Sequence, residues 1–206
     1  MTTFRVEGLT TPQLKEVDLT ISAGECVGIT GPSGSGKSLL LRALADMDPY
    51  EGRMSLGGQP VTSMAAPLWR QRVALLPATS AWWHDTVAPH FRRFKTPDYT
   101  TLGFPPEVAA WEIRRLSSGE RQRLALLRVL APEPDVLLLD EPTANLDTEN
   151  TRQAEALIQD YARRRGTPVL WVSHDRMQLE RICARAYRMK AGRLTVLFDG
   201  GTEGAA

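Results

Sequence analysis

Eight residues, Gly31-Pro32-Ser33-Gly34-Ser35-Gly36-Lys37-Ser38, satisfy the pattern G-x-x-x-x-G-K-[ST] at every required position, and no other stretch restricts the possible folds as tightly. The pattern works only where a strand passes into a helix. Cys26 to Thr30 ahead of it reads as a short buried strand, and Ser38 to Ala45 behind it, with Leu39, Leu40, Leu41 and Leu44, reads as a helix. In that setting the glycines let backbone N–H groups turn toward phosphate oxygens. The helix N-terminus adds its dipole, Lys37 adds a point charge, and the Ser38 hydroxyl can ligate Mg²⁺. A nucleoside triphosphate is the expected ligand. The plainer reading, a glycine-rich turn that binds nothing, is weighed down by strand, lysine and serine agreeing. The motif alone does not name a reaction.

Three further blocks surround it. Val136-Leu137-Leu138-Leu139-Asp140-Glu141 reads as a central parallel strand whose C-terminal end delivers two acids. Asp140 is then placed to hold Mg²⁺, and Glu141 to orient or deprotonate a water. Upstream, Leu116-Ser117-Ser118-Gly119-Glu120-Arg121-Gln122-Arg123 opens a helix running to about Leu130. A Ser-Ser-Gly run at a helix start can hold an anion, although an ordinary N-cap is the commoner use of such a run. Downstream, Pro168 to Ser173 is another buried strand with His174-Asp175 at its tip, the edge at which α/β sheets present ligand-contacting residues.

The totals bound the alternatives. At 206 residues one compact domain is expected, with space for a small inserted lobe. Apolar runs such as Val136 to Leu139 fall far short of the roughly twenty residues that cross a bilayer. Residues 1–19 carry Arg5, Glu7, Lys15, Glu16 and Asp18 and lack the apolar stretch of a signal peptide, so a cytosolic chain is expected. A net charge of +1 with 24% charged residues argues against nucleic acid as a partner. Cys26 and Cys183 form no C-x-x-C pair and read as buried free thiols.

Taken in order, Phe4 to Leu9, Leu14 to Ile21 and Arg53 to Leu56 read as strands of a small antiparallel sheet beside the nucleotide core. Val73 to Leu76 is a buried strand that Pro77 stops. From Ala78 to about Leu116 the composition shifts to tryptophan, phenylalanine and proline, which reads as an inserted, mostly helical and irregular lobe. Its aromatics suit either a protein-binding surface or a satellite core. Thr148 to Arg165 reads as an amphipathic helix with Ala154, Leu157, Ile158 and Tyr161 inward. Met177 to Ala184 looks helical, Ala186 to Met189 and Leu194 to Phe198 look like closing strands, and Asp199 to Ala206 is a glycine-rich tail.

With the phosphate loop, L-S-S-G-E-R-Q-R, V-L-L-L-D-E, A-N-L-D and S-H-D in that order, the chain resembles the ATP-binding subunit of an ABC transporter from about Phe4 to Gly192. The resemblance implies an α/β fold, a P-loop NTPase (RecA-like) core with a small antiparallel β subdomain and an inserted, shortened helical lobe. It divides a single domain, 1–206, into the β subdomain and phosphate-loop core (1–77), the lobe (78–116), the remaining core (117–192) and a terminal strand and tail (193–206). It implies that ATP and Mg²⁺ are bound and that ATP is hydrolysed by a head-to-tail dimer of two copies. Gly31, Pro32, Ser33, Gly34, Ser35, Gly36, Lys37 and Ser38 of one copy would face the signature Ser117, Ser118, Gly119 and Glu120 of the other. Asp140 and Ser38 would hold Mg²⁺, Glu141 would be the general base, Asp147 would communicate between sites and His174 would sense the γ-phosphate. The implied partner is an integral membrane permease, with this chain cytoplasmic and peripheral on the inner face of the cell membrane. Small size, ITGPSGSGKS and VLWVSHD look most like bacterial importer and exporter ATPases with a separate small permease, the iron-export type among them.

Three positions depart from the family pattern. Ala78 stands where a glutamine usually follows the strand ending at Pro77, which removes an amide that links site and lobe. No aromatic lies between Gly8 and Leu14 to stack on adenine, leaving aliphatic contacts or Phe4 for the base. Ser118 replaces a second signature glycine but retains its backbone N–H. Two other functions are weighed: an ABC-type ATPase acting on nucleic acid, ribosomes or the division machinery, and a regulatory nucleotide-binding module with little turnover.

Overall fold

A computed structural model describes residues 2–94 and 96–200; the part of the expected tail from residue 201 on lies outside the described residues. In chain order the regular elements are β1 (Phe4–Thr10), β2 (Val17–Ile21), β3 (Cys26–Thr30), α1 (Lys37–Leu44), β4 (Glu51–Leu56), β5 (Gln59–Pro60), α2 (Ala66–Arg72) and β6 (Val73–Leu76). After the lobe come α3 (Ser118–Leu130), β7 (Val136–Asp140), α4 (Thr148–Arg165), β8 (Val169–Val172), α5 (Arg176–Ile182), β9 (Arg185–Lys190) and β10 (Arg193–Asp199).

Two sheets organise them. A four-stranded antiparallel sheet has the order β2-β1-β4-β5, and a six-stranded sheet has the order β10-β9-β3-β8-β7-β6. In the larger sheet every pairing from β9 to β6 is parallel, and β10 closes one edge as an antiparallel hairpin with β9. Parallel strands covered on both faces have no polar side, which is why β7 and β8 are continuous apolar runs. Alternate residues serve two cores: Val136, Leu138, Leu170 and Val172 pack with α1 and the small sheet, whereas Leu137, Leu139, Val169 and Trp171 pack with α3, α4, α5 and the lobe.

The second strand begins at Val17, three residues later than the apolar pattern suggests, because Glu16 takes a left-handed backbone (φ 35°) that a strand cannot contain. Leu14 is nevertheless buried as a loop residue. Phe4 is fully buried and packs 6.2 Å from Trp69, so it is not available to an adenine ring. Cys26 and Cys183 are free thiols, and the fold brings their sulfurs within 3.4 Å.

The lobe contains short 3₁₀ turns at 88–91, 99–102, 106–110 and 113–115, and no α-helix among the described residues. Pro89, Pro105 and Pro106 sit at the starts of these turns and deny longer helices the N–H groups they need. Its aromatics divide between core and surface. Phe91, Tyr99 and Phe104 join the core on the α3 side, while Trp83 and Phe94 are exposed. Arg128 of α3 stacks over Trp82 and Trp83 at 4.3 and 4.9 Å, anchoring the lobe to the core.

Candidate nucleotide-binding site

The parallel register sets three strand tips side by side. Ile29 of β3 and Asp140 of β7 both pair with Val172 of β8, so the phosphate loop, the acidic pair and His174 leave the sheet at one edge. This is where open α/β sheets bind ligands. The sequence blocks therefore converge because three adjacent parallel strands end in one row.

Within the loop, Lys37 Nζ donates to the carbonyls of Gly31 (2.7 Å) and Pro32 (3.1 Å), curling the loop around its own lysine. Burial lowers the Lys37 pKa, and the carboxylates of Glu141 and Asp140 oppose that shift. Gly31 passes so close to β9 that a Cβ there would lie 2.2 Å from the Met189 carbonyl oxygen, so only glycine fits. Ser35 Oγ is buried without a hydrogen-bond partner, a polar group whose desolvation a phosphate oxygen would offset. Ser38 Oγ donates to Asp140 Oδ2 at 2.6 Å. This hydroxyl and carboxylate suit Mg²⁺, which takes one or two protein oxygens and completes its shell with phosphate and water. Among the described residues there is no larger His/Cys/Asp/Glu cluster able to hold a metal.

Glu141 follows directly, in a left-handed backbone (φ 49°) that turns its carboxyl away from the strand direction. His174 Nε2 lies 3.2 Å from Glu141 Oε1, yet that oxygen lacks an aligned hydrogen bond, so the contact is electrostatic. Burial raises the Glu141 pKa. His174 opposes the shift, Asp140 adds to it and Lys37 opposes it more weakly. A half-buried carboxylate with a free lone pair and an upward-shifted pKa is suited to taking a proton.

The signature residues open α3. Ser117 caps α3: its Oγ accepts from Glu120 N (3.2 Å) while Glu120 Oε2 accepts from Ser117 N (2.7 Å), a complete capping box. The capping use of this run is therefore realised, and Ser117 and Ser118 remain exposed. Gly119 abuts the loop after β7, where a Cβ would meet the Asn145 carbonyl oxygen at 3.0 Å. Asp147 caps α4, accepting from Asn150 N at 2.8 Å and Asn150 Nδ2 at 2.7 Å, and these bonds hold its pKa down. Ala78 is exposed just beyond β6.

Sequence reasoning missed a buried polar chain behind the site. Gln178 Nε2 donates to Thr143 Oγ1 (2.9 Å) and Glu155 Oε1 (2.8 Å), and Arg181 grips Glu155 with two nitrogens. Gln122 Nε2 donates to the Pro142 carbonyl at 3.0 Å. The signal was present: Glu155 shares the inward helical phase of Ile158 and Ala162, and Gln178 that of Ile182. A polar residue at an apolar phase must find partners inside.

Residues 14–144, more than half of the chain, match the family model described as ABC transporter. A protein of Escherichia coli (strain K12) named probable iron export ATP-binding protein FetA is 35% identical over 179 residues, covering 81% of this chain and 80% of that protein. A Haloferax volcanii protein named probable anion import ATP-binding protein is 34% identical, covering 92% of this chain and 75% of its own length. An aliphatic sulfonates import ATP-binding protein of Paracoccus denitrificans (strain Pd 1222), SsuB 2, is 37% identical, with 87% and 72% covered. In structure, a bacterial Atm1-family ABC exporter with ATP bound superposes with a TM-score of 0.80 at 24% identity. It covers 94% of this chain, which spans 38% of that one, and the likeness establishes the fold.

Proposed function

Because this chain belongs to the ABC transporter family as an ATP-binding subunit, we propose that it hydrolyses ATP as a dimer of two copies and drives transport through a separate membrane permease. The observation that carries the reading is the row of strand tips. It sets the phosphate loop, the Ser38–Asp140 pair and the Glu141–His174 contact beside one another. Lys37 and the N–H groups of residues 31–38 hold the phosphates. Ser38 and Asp140 hold Mg²⁺, which supplies neutralising charge to phosphate oxygens when bound. Glu141 accepts the proton of a water attacking the γ-phosphorus, and His174 faces the γ-phosphate and steadies the Glu141 carboxylate. Ser117 is exposed and Gly119 partly exposed, which supports their serving the nucleotide of a second copy.

No helix among the described residues is long and apolar enough to cross a membrane. A groove of about 640 Å³ between β6, α3 and the lobe, lined by Leu76, Pro77, Trp83, Phe94, Arg128 and Pro132, supports docking of a membrane subunit at the cytoplasmic face. The similar proteins are named for export in one case and import in two, and the proposal is accordingly for ATP-driven transport as such. Purified protein should hydrolyse ATP in a Mg²⁺-dependent manner, with Lys37→Ala abolishing tight binding. Unchanged ATP affinity in that variant would remove Lys37 from its role. An ATPase rate equal to that of Glu141→Gln, with and without membranes, would favour the low-turnover regulatory reading raised by Ala78.

A further inference from the structure

The loop that follows Glu141 is the most strained part of the site. Both Glu141 (φ 49°) and Asn145 (φ 70°) are left-handed without being glycine, a conformation that asparagine tolerates and that glutamate adopts only under constraint. Strain of this kind persists only where the surroundings over-determine it. Two turn bonds lie within the loop, Ala144 N to Glu141 O at 3.1 Å and Leu146 N to Thr143 O at 3.2 Å. Two buried amides reach in from outside: Gln122 takes the Pro142 carbonyl and Gln178 takes the Thr143 hydroxyl.

Gln178 is only 2% exposed, and its own position is set twice. Its side chain is held by Glu155, itself locked to Arg181, and its backbone N–H donates to Asp175 Oδ1 at 3.1 Å, next to His174. One side chain thus ties the segment that carries His174 to the loop that carries Glu141. Removing the Gln178–Thr143 bond leaves the phosphate loop, the Ser38–Asp140 pair and the capping box intact.

We propose that Gln178, acting through the Thr143 hydroxyl, is a positioning residue that sets the Glu141 carboxyl against His174 for the attacking water. The inference rests on the hydrolytic reading of Glu141. It concerns orientation, so it predicts a change in turnover with nucleotide binding preserved.

The test compares Thr143→Ser, which keeps the hydroxyl, with Thr143→Val, which keeps the shape, and with Gln178→Met, which removes the donor at similar volume. All are measured in the full chain for kcat and KM for ATP, and for hydrogen exchange at the Leu146 amide. Thr143→Ser should stay within about twofold of the parent, while Thr143→Val and Gln178→Met should lose about tenfold in kcat at constant KM and exchange Leu146 faster. Full activity in Thr143→Val alongside an impaired Thr143→Ser would show a packing role and overturn the proposal. Should the parent chain hydrolyse no ATP, the functional reading fails. The exchange measurement still decides the clamp, because unchanged Leu146 protection in Thr143→Val and Gln178→Met would overturn it.

Discussion

Ser38 Oγ and Asp140 Oδ2 meet at 2.6 Å although 102 positions separate them in the chain. The first helical turn after the phosphate loop and the last residue of the central strand are thereby joined at the point proposed for the metal. Asp140 is only 5% exposed while Ser38 opens to the surface, so the carboxylate is held from within and the hydroxyl faces the side from which a nucleotide would arrive.

Breaking either member should act through the metal. In Ser38→Ala and Asp140→Asn the Mg²⁺ concentration giving half-maximal ATPase should rise about tenfold or more, with metal-free nucleotide binding little altered. The double variant should cost less than the sum of the singles, since the two groups are in contact. A Mg²⁺ titration of the four proteins checks this; strict additivity would place the metal elsewhere.

Glu141 links pH to both activity and stability. Its folded pKa is raised chiefly by burial, so as pH falls the base is protonated sooner than an exposed glutamate would be. The acid limb of the kcat profile should therefore lie above the ordinary glutamate range. For stability the sign is fixed by linkage: ionising a group with a raised folded pKa costs the fold at high pH, and that cost vanishes below the unfolded pKa. Nucleotide-free Glu141→Gln should thus melt higher than the parent at pH 7, with the gap closing toward pH 4. Melting curves across that range test it.

His90 should give the lobe an opposite dependence. Its Nε2 accepts from the backbone N–H groups of Trp83 (3.1 Å) and His84 (3.2 Å), while Nδ1 faces the Thr86 and Val87 carbonyls, so the ring is neutral with its proton on Nδ1. Burial lowers its pKa, Arg128 and His84 push the same way, and the bonds to the Val87 and Thr86 carbonyls oppose the shift without reversing it. The stability this neutral ring contributes is fully present above the unfolded histidine pKa and is lost as pH falls toward the folded one. Melting temperatures should fall between pH 7 and 5 in the parent and fall less in His90→Leu.

Gly119→Ala places a methyl 3.0 Å from the Asn145 carbonyl oxygen, and the loop after Glu141 must yield by a few tenths of an ångström. Overpacking of this kind typically costs about 1–3 kcal/mol. Turnover should drop with nucleotide affinity of the isolated chain retained, since the phosphate loop is untouched. Comparing a binding isotherm with a steady-state rate separates the two.

Much of this architecture was legible because its signals are periodic or positional. Continuous apolar runs marked β7 and β8 as buried on both faces, and the phosphate-loop motif marked the passage from β3 into α1. What escaped were features fixed by tertiary contact. Left-handed Glu16 delays β2, prolines reduce the expected helices of the lobe to 3₁₀ turns, and Phe4 is consumed by Trp69. The two cysteines, 157 positions apart, meet only because α5 packs on β3. The Thr143–Gln178–Glu155 chain was readable as polar residues at apolar phases, but which partners they find depends on how α4 and α5 pack.

In the proposed dimer each nucleotide site combines the phosphate loop of one copy with the signature of the other. The most direct measurement is the molar mass of Glu141→Gln by light scattering with ATP and Mg²⁺, beside the same protein carrying Ser117→Arg. The expected result is an ATP-dependent doubling of mass that Ser117→Arg abolishes while ATP binding by the monomer persists. A protein that binds ATP tightly yet stays monomeric, or a dimer indifferent to ATP and to residue 117, would contradict it.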